Sequence, residues 1–168
     1  LLAKGESPIV FEAGASVGAN MLDWGHVRVF SPWRYVVDEA AADLLRGTGW
    51  TAPDGEGYPT GREIVEQYLR PLADTAAMRP CLRLNSRVLS VSRAGIDKLK
   101  DDRRQDTPFQ LVVEGPDGEE TVTLARAVID ASGTTATPNP LGAGGVPALG
   151  ERRLRDRITY GIPDVLGK

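Results

Sequence analysis

Ile9, Val10 and Phe11 form an apolar, β-prone run that follows Pro8 and ends at Glu12, Ala13 and Gly14. A run of this kind fits a parallel strand covered on both faces. Glu12 then falls at the carboxyl end of the strand, the edge where ligands lie in open α/β sheets, and a carboxylate there can accept hydrogen bonds from both hydroxyls of a ribose. The competing reading is a solvated charge at a strand tip. A second group of small residues, Ala131, Ser132 and Gly133, follows Asp130 and closes the apolar run Ala127, Val128 and Ile129. Backbone approaches a bound cofactor closely only where no bulky side chain intervenes; an ordinary tight turn is the alternative. Gly18 and Ala19 allow the same two readings.

Other reactive side chains lack partners in sequence. His26 is the only histidine and has no identifiable carboxylate beside it, so a structural role is favoured over proton transfer. Ser7 and Ser31 have no Gly-x-Ser-x-Gly context, and no H-E-x-x-H or comparable spacing suggests a metal. Asp101 and Asp102 sit in the charge-dense stretch 97–106, which reads as a solvated connection. Cys81 is the single cysteine, which excludes an internal disulfide or a CxxC redox pair in this chain. So little catalytic equipment favours chemistry carried by a bound cofactor.

The elements that must position these residues can be read in part. Leu1 to Lys4 look like the last turn of a helix that Gly5 ends, after which the chain enters the strand at residues 9–11. Residues 15–33 show neither helical nor alternating period, yet carry Trp24, His26, Phe30 and Trp33. An aromatic-rich segment of this kind is expected to pack on a neighbouring domain or a flat ligand. Asp38 can cap a short helix to Leu45, with Ala40, Ala41, Leu44 and Leu45 on its apolar side and Gly47 as its stop. Thr60 and Glu63 have capping-box spacing, which predicts a helix from Gly61 with Ile64, Val65, Tyr68 and Leu69 inward, kinked or ended at Pro71. Residues 82–84 and 88–92 alternate as strands do. Residues 109–113 and 121–124 flank Pro116, Asp117 and Gly118 as a hairpin. Residues 127–131 should rejoin the buried parallel sheet, and the loop 135–150 is rich in Pro and Gly.

A chain of 168 residues with 41% hydrophobic residues and a formal net charge of −3 suits one globular domain. It lacks the basic excess that nucleic acid or anionic membrane would favour, and no spanning or targeting segment is visible. A small-molecule substrate and a reducing, cytoplasmic setting are expected.

In this order the pieces resemble the FAD-binding domain of flavin-dependent oxidoreductases with two dinucleotide-binding domains, the pyridine nucleotide-disulfide oxidoreductase superfamily, and within it the flavin-containing monooxygenase group. Three segments carry the likeness: residues 9–14 with Val17 and Gly18, residues 84–88, and residues 128–133 with Pro138, Asn139 and Pro140. The last is similar to the family's Ala-Thr-Gly segment, with Ser132 where Thr is usual. The resemblance implies an α/β, Rossmann-like FAD-binding domain: a parallel sheet plus an antiparallel β-meander, lacking its first strand and glycine turn. It implies a partial FAD domain over residues 1–150 and, over 151–168, a connector towards an NADPH-binding domain. By the same likeness Glu12 would bind the adenosine ribose, with Ala13 and Gly14 beside the adenine. The Val88 backbone would contact adenine, Gly18 and Trp24 would approach the flavin, and Ala131, Ser132 and Gly133 would lie near the pyrophosphate.

There are departures. The family's Gly-Gly pair followed closely by Trp is here Gly18-Ala19 with a later Trp24, and the Baeyer–Villiger signature is not reproduced around His26. Both Gly-x-Gly-x-x-Gly turns are missing; the glycines at 142, 144 and 145 lie in a proline-flanked run without strand or helix. The chain is therefore expected to be a fragment that binds FAD poorly alone, with the strand after Pro8 exposed along an apolar edge. The implied activity is an FAD- and NADPH-dependent, monooxygenase-like oxidoreductase in which reduced flavin activates oxygen. The competitors are a disulfide-reductase-type flavoprotein lacking its dithiol and a non-catalytic nucleotide-binding or interaction module.

Overall fold

The computed structural model describes residues 1–135 and 137–167; Ala136, inside the expected loop 135–150, and Lys168, at the end of the expected connector, lie outside the described residues. The fold is mixed α/β. In chain order, a 3-10 turn at Leu2–Lys4 leads to strand β1 (Val10–Phe11), helices α1 (Ala19–Asp23), α2 (Trp33–Val36) and α3 (Glu39–Leu45), and then α4 (Gly61–Ile64). A π-helical turn at Val65–Leu69 joins α4 to α5 (Arg70–Ala73), followed by strands β2 (Leu82–Arg83), β3 (Arg87–Arg93), β4 (Phe109–Glu114) and β5 (Glu120–Ala125). A final 3-10 helix covers Arg152–Arg157.

Local chemistry accounts for most of these boundaries. Gly5 ends the first turn in the left-handed region at φ 73°, a conformation glycine adopts without penalty. Asp38 caps α3 by accepting from the Ala41 amide at 3.1 Å. Thr60 and Glu63 form the expected capping box: Glu63 N donates to Thr60 Oγ1 at 3.2 Å and Thr60 N donates to Glu63 Oε2 at 2.7 Å. Pro71 is accommodated by a wider turn. Arg70 N donates to Val65 O, five residues back, so the helix passes through the proline by local unwinding.

The principal core is helical. Trp33, Ala41, Leu45, Ile64 and Tyr68 are buried together, with Met21, Val29, Trp50, Leu69 and Leu72 packed around them. Ile64, Val65 and Tyr68 are buried and Leu69 half-buried, as the spacing anticipates. On α3, Ala41 and Leu45 are buried, whereas Ala40 is exposed and Leu44 half-buried. The sequence reading of 15–33 needs correction on two points. It contains α1, which starts from a left-handed Gly18 at φ 70°, and its end enters α2. Trp33 and Trp24 pack on this chain's own helix at 61–73; Trp33 belongs to the core, and the Trp24 ring covers Gly61. Both short helices lie below the length at which periodicity shows.

Two small sheets complete the fold. β1 and β2 pair in parallel, Val10 opposite Leu82 and Phe11 opposite Arg83. β3, β4 and β5 form the expected antiparallel meander, with a bulge between Val88 and Ser90 and a turn closed by Gly115 N to Glu119 O at 2.9 Å. Leu111 and Val113 are its buried residues.

The segment 127–131 overturns the expectation of a buried parallel strand. It forms no strand, and Ile129 is 78% exposed. A strand needs ladder partners for its amides and carbonyls, and no described strand lies beside this segment, so its apolar composition does not suffice. Total accessible surface is 12480 Å² for an 18.0 kDa chain, against about 8,000 Å² for a compact monomer of that mass.

Candidate functional site

The site begins where β1 ends. Glu12 N donates to Arg83 O at 2.9 Å, and the two chains stay in register beyond the strands, with Ser86 N to Glu12 O and Asn85 N to Gly14 O, each 2.9 Å. Glu12 is therefore at the carboxyl end of a parallel strand pair, and the segment entering β3 is its neighbour. Asn85 turns the chain there at φ 50°. Asparagine tolerates this left-handed conformation better than most residues.

The Glu12 carboxylate folds back over its own loop. Its Oε1 accepts from the Gly14 amide at 2.6 Å, and the residue is half-buried. This contact orients the side chain and leaves Oε2 for an outside donor. Gly14 is required by packing: a Cβ there would collide with the Ala19 side chain. Beyond the loop, Ala15, Ser16 and Val17 face Arg70, Asp74 and Arg79 across an open cleft of about 290 Å³. Arg79 and Asp74 approach within 3.6 Å as an exposed pair, while Arg70 enters no ion pair among the described residues. The cleft, bordered by the loop that follows Glu12, thus carries a guanidinium suited to an anion. Neither arginine was identified from sequence; Arg70 falls next to the proline of a capped helix, and only folding brings it opposite the Glu12 loop.

The other expected residues divide into separate places. Val88, on β3 opposite Val113, lies two residues past Ser86, whose amide donates to Glu12 O. Ala13 is exposed on the Glu12 loop. A Cβ on Gly18 would lie 2.7 Å from Val65 Cγ2, so its missing side chain is explained by the helix beneath it. Trp24 is half-buried against Gly61. Ala131, Ser132 and Gly133 are exposed. There Asp130 accepts from the Ser132 hydroxyl at 2.7 Å and, as the lesser effect, from its amide at 3.0 Å, which together hold the Asp130 carboxyl below the usual carboxylate range. No hydrogen bond among the described residues joins 127–133 to the Glu12 loop; the nearest tie is the exposed Arg126–Glu6 pair at 2.5 Å. His26 is exposed and Cys81 is a buried free thiol.

Tested against FAD, the residues offer at the sugar end only Glu12 Oε2, which accepts no hydrogen bond among the described residues. They do not fit at the flavin end, where Gly18 and Trp24 are occupied by contacts with Val65 and Gly61. Among the described residues no helix is long and apolar enough to cross a membrane. No family model, curated protein or solved structure matches the chain.

Proposed function

We propose that this chain forms part of the FAD-binding domain of an NADPH-dependent, monooxygenase-like flavoprotein oxidoreductase acting on a small molecule in the cytoplasm. The observation that carries the reading is Glu12 at the carboxyl end of parallel β1, oriented by the Gly14 amide. In such sheets this edge is where ligands lie, and an acidic side chain there takes the ribose hydroxyls. Glu12 would bind the sugar, Ala13 and Gly14 would border the adenine, and the Val88 backbone would contact it. Arg70 is added to that set as an anion contact across the cleft. Bound FAD would supply the redox chemistry, drawing electrons from NADPH and passing them to oxygen. Gly18, Trp24, Ala131, Ser132 and Gly133 remain assigned through the resemblance alone.

A second reading, a nucleotide-binding module without catalysis, is favoured by the exposure of 127–133, which leaves the expected pyrophosphate residues away from the sheet. Purifying the full-length protein and recording its visible spectrum separates the two. A flavin band bleached by NADPH supports the oxidoreductase, and a colourless protein that binds adenine nucleotides supports the module. Protein that retains no flavin and binds neither FAD nor adenine nucleotides overturns both.

A further inference from the structure

The sequence Glu151, Arg152, Arg153, Leu154, Arg155, Asp156, Arg157 looks nearly self-neutralised when read as a string. Folding changes that balance. The Glu151 carboxylate turns inward, where it accepts from the Ala148 amide at 2.6 Å, the Leu141 amide at 3.1 Å and the Tyr160 hydroxyl at 2.6 Å; the residue is only 5% exposed. Arg152, Arg153, Arg155 and Arg157 stay at the surface, with Asp156 as the one remaining acid of that run, and none enters an ion pair among the described residues.

Arg152 and Arg153 also border an open cleft of about 470 Å³ whose other walls are Val146, Pro147, Ala148, Leu149 and Gly150. Val146 is 61% exposed and Leu149 fully so. Exposed apolar side chains beside charged ones offer both parts of an amphipathic ligand a partner. Arg152 and Arg153 both line the cleft, and two positive charges at one site match a group with several anionic oxygens and a double negative charge, which a phosphate monoester provides and a carboxylate does not. The aliphatic floor beside them accepts a hydrocarbon body by ordinary burial.

We propose that this cleft binds a phosphate monoester carrying an apolar body, the phosphate on Arg152 and Arg153 and the body over Val146 and Leu149. The inference is independent of the flavin reading, since it uses no residue of the Glu12 site. The test is an amide NMR titration of the full chain with octyl phosphate kept below its micelle concentration. Saturable shifts at Leu149, Arg152 and Arg153 are expected. Inorganic phosphate and octanoate should each bind at least tenfold more weakly, and octanol should leave these signals unmoved. The exposed double variant Arg152→Gln/Arg153→Gln should weaken octyl phosphate at least tenfold, and Leu149→Ser severalfold, with the shifts of core residues such as Trp33 reporting that the fold is kept. Inorganic phosphate binding as tightly as octyl phosphate would mean a bare anion patch. Octanoate binding equally would remove the phosphate assignment. No shift at millimolar octyl phosphate, or an unchanged double variant, would overturn the site; because the wild-type titrations need no variant, a misfolded mutant does not protect the proposal.

Discussion

The Trp50 indole N–H donates to the Gln67 carbonyl at 2.7 Å, and Gln67 stands four residues before Pro71. An α-helix would serve that carbonyl from the amide of residue 71, which a proline lacks. A side chain from the preceding loop thus supplies the donor that the helix cannot. Trp50→Phe keeps the ring and removes the donor, and should cost about 1 kcal/mol in urea unfolding, the typical worth of one such bond. In a Pro71→Ala background, where residue 71 regains its amide, the same change should cost clearly less. Equal costs in both backgrounds would show that the indole and the proline are unconnected.

At the start of the same helix, Gly61 is covered by the Trp24 ring; a Cβ would lie 2.7 Å from Cζ3 and 2.8 Å from Cε3. Alanine is normally the better helix former, by roughly 1 kcal/mol. Here Gly61→Ala should instead destabilise, by about 1–3 kcal/mol from overpacking. Trp24→Leu combined with Gly61→Ala should recover part of that loss, because the smaller side chain vacates the space. Thr60→Ala, which deletes the cap without touching Trp24, should cost about 1 kcal/mol. Denaturation midpoints of the four proteins decide the matter, and a stabilised Gly61→Ala would refute the packing role of Trp24.

What was legible in the sequence depended on how locally its cause acts. The Thr60–Glu63 box, the Asp38 cap, the Gly5 stop and the hairpin at Pro116, Asp117 and Gly118 each arise from residues within a few positions of one another. The strand at Val10 and Phe11 was legible from its apolar run, and Glu12 from its place at the end of it. The expected cover on both faces, however, is absent among the described residues: Ile9 and Val10 are exposed because only β2 pairs with this strand. The run 127–131 looks the same as a string, but a strand exists only through its neighbours, and composition does not say whether they are there. α1 and α2 were missed because four or five residues carry no readable period. Arg70 in the cleft beside residues 15–17 and Glu151 in its nest were missed because what surrounds them comes from elsewhere in the chain: the 15–17 loop for one, Leu141, Ala148 and Tyr160 for the other.

Glu151 and Tyr160 should give residues 141–160 a pH dependence of their own. The Tyr160 hydroxyl, donating to Glu151, is the main reason that the Glu151 carboxyl lies below its ordinary range; the Ala148 and Leu141 amides act in the same direction and burial opposes them. The same hydrogen bond raises the Tyr160 phenol, burial and the Glu151 charge add to it, and Arg155 opposes it. A lowered carboxyl stabilises the segment above its unfolded value near about 4.3 and stops doing so as pH falls through the folded value. A raised phenol stabilises it below about 10 and stops doing so as pH rises through the folded value. Tyr160 ring signals in NMR should therefore hold from neutral to weakly acidic pH and shift at both extremes. Glu151→Gln should abolish the acid transition, and its persistence would place the titrating group elsewhere.

Glu12 has two duties that substitution can separate. Its Oε1 satisfies the Gly14 amide at 2.6 Å, a structural contact, while Oε2 is the atom assigned to a ribose hydroxyl. Glu12→Gln retains a carbonyl oxygen for Gly14 but puts an amide NH₂ where the second anionic acceptor stood. Glu12→Ala removes both. Stability should thus change little in Glu12→Gln and fall by about 1 kcal/mol in Glu12→Ala, since the Gly14 amide loses its partner. FAD binding by the full-length protein should fall about tenfold or more in both variants, because a hydrogen bond to a charged acceptor is worth roughly 1.5–3 kcal/mol. Urea unfolding and FAD titration of the same two proteins read the duties independently. A Glu12→Gln protein that holds FAD as well as the parent would leave this carboxylate with only its loop to organise, and the sugar would have to be bound elsewhere.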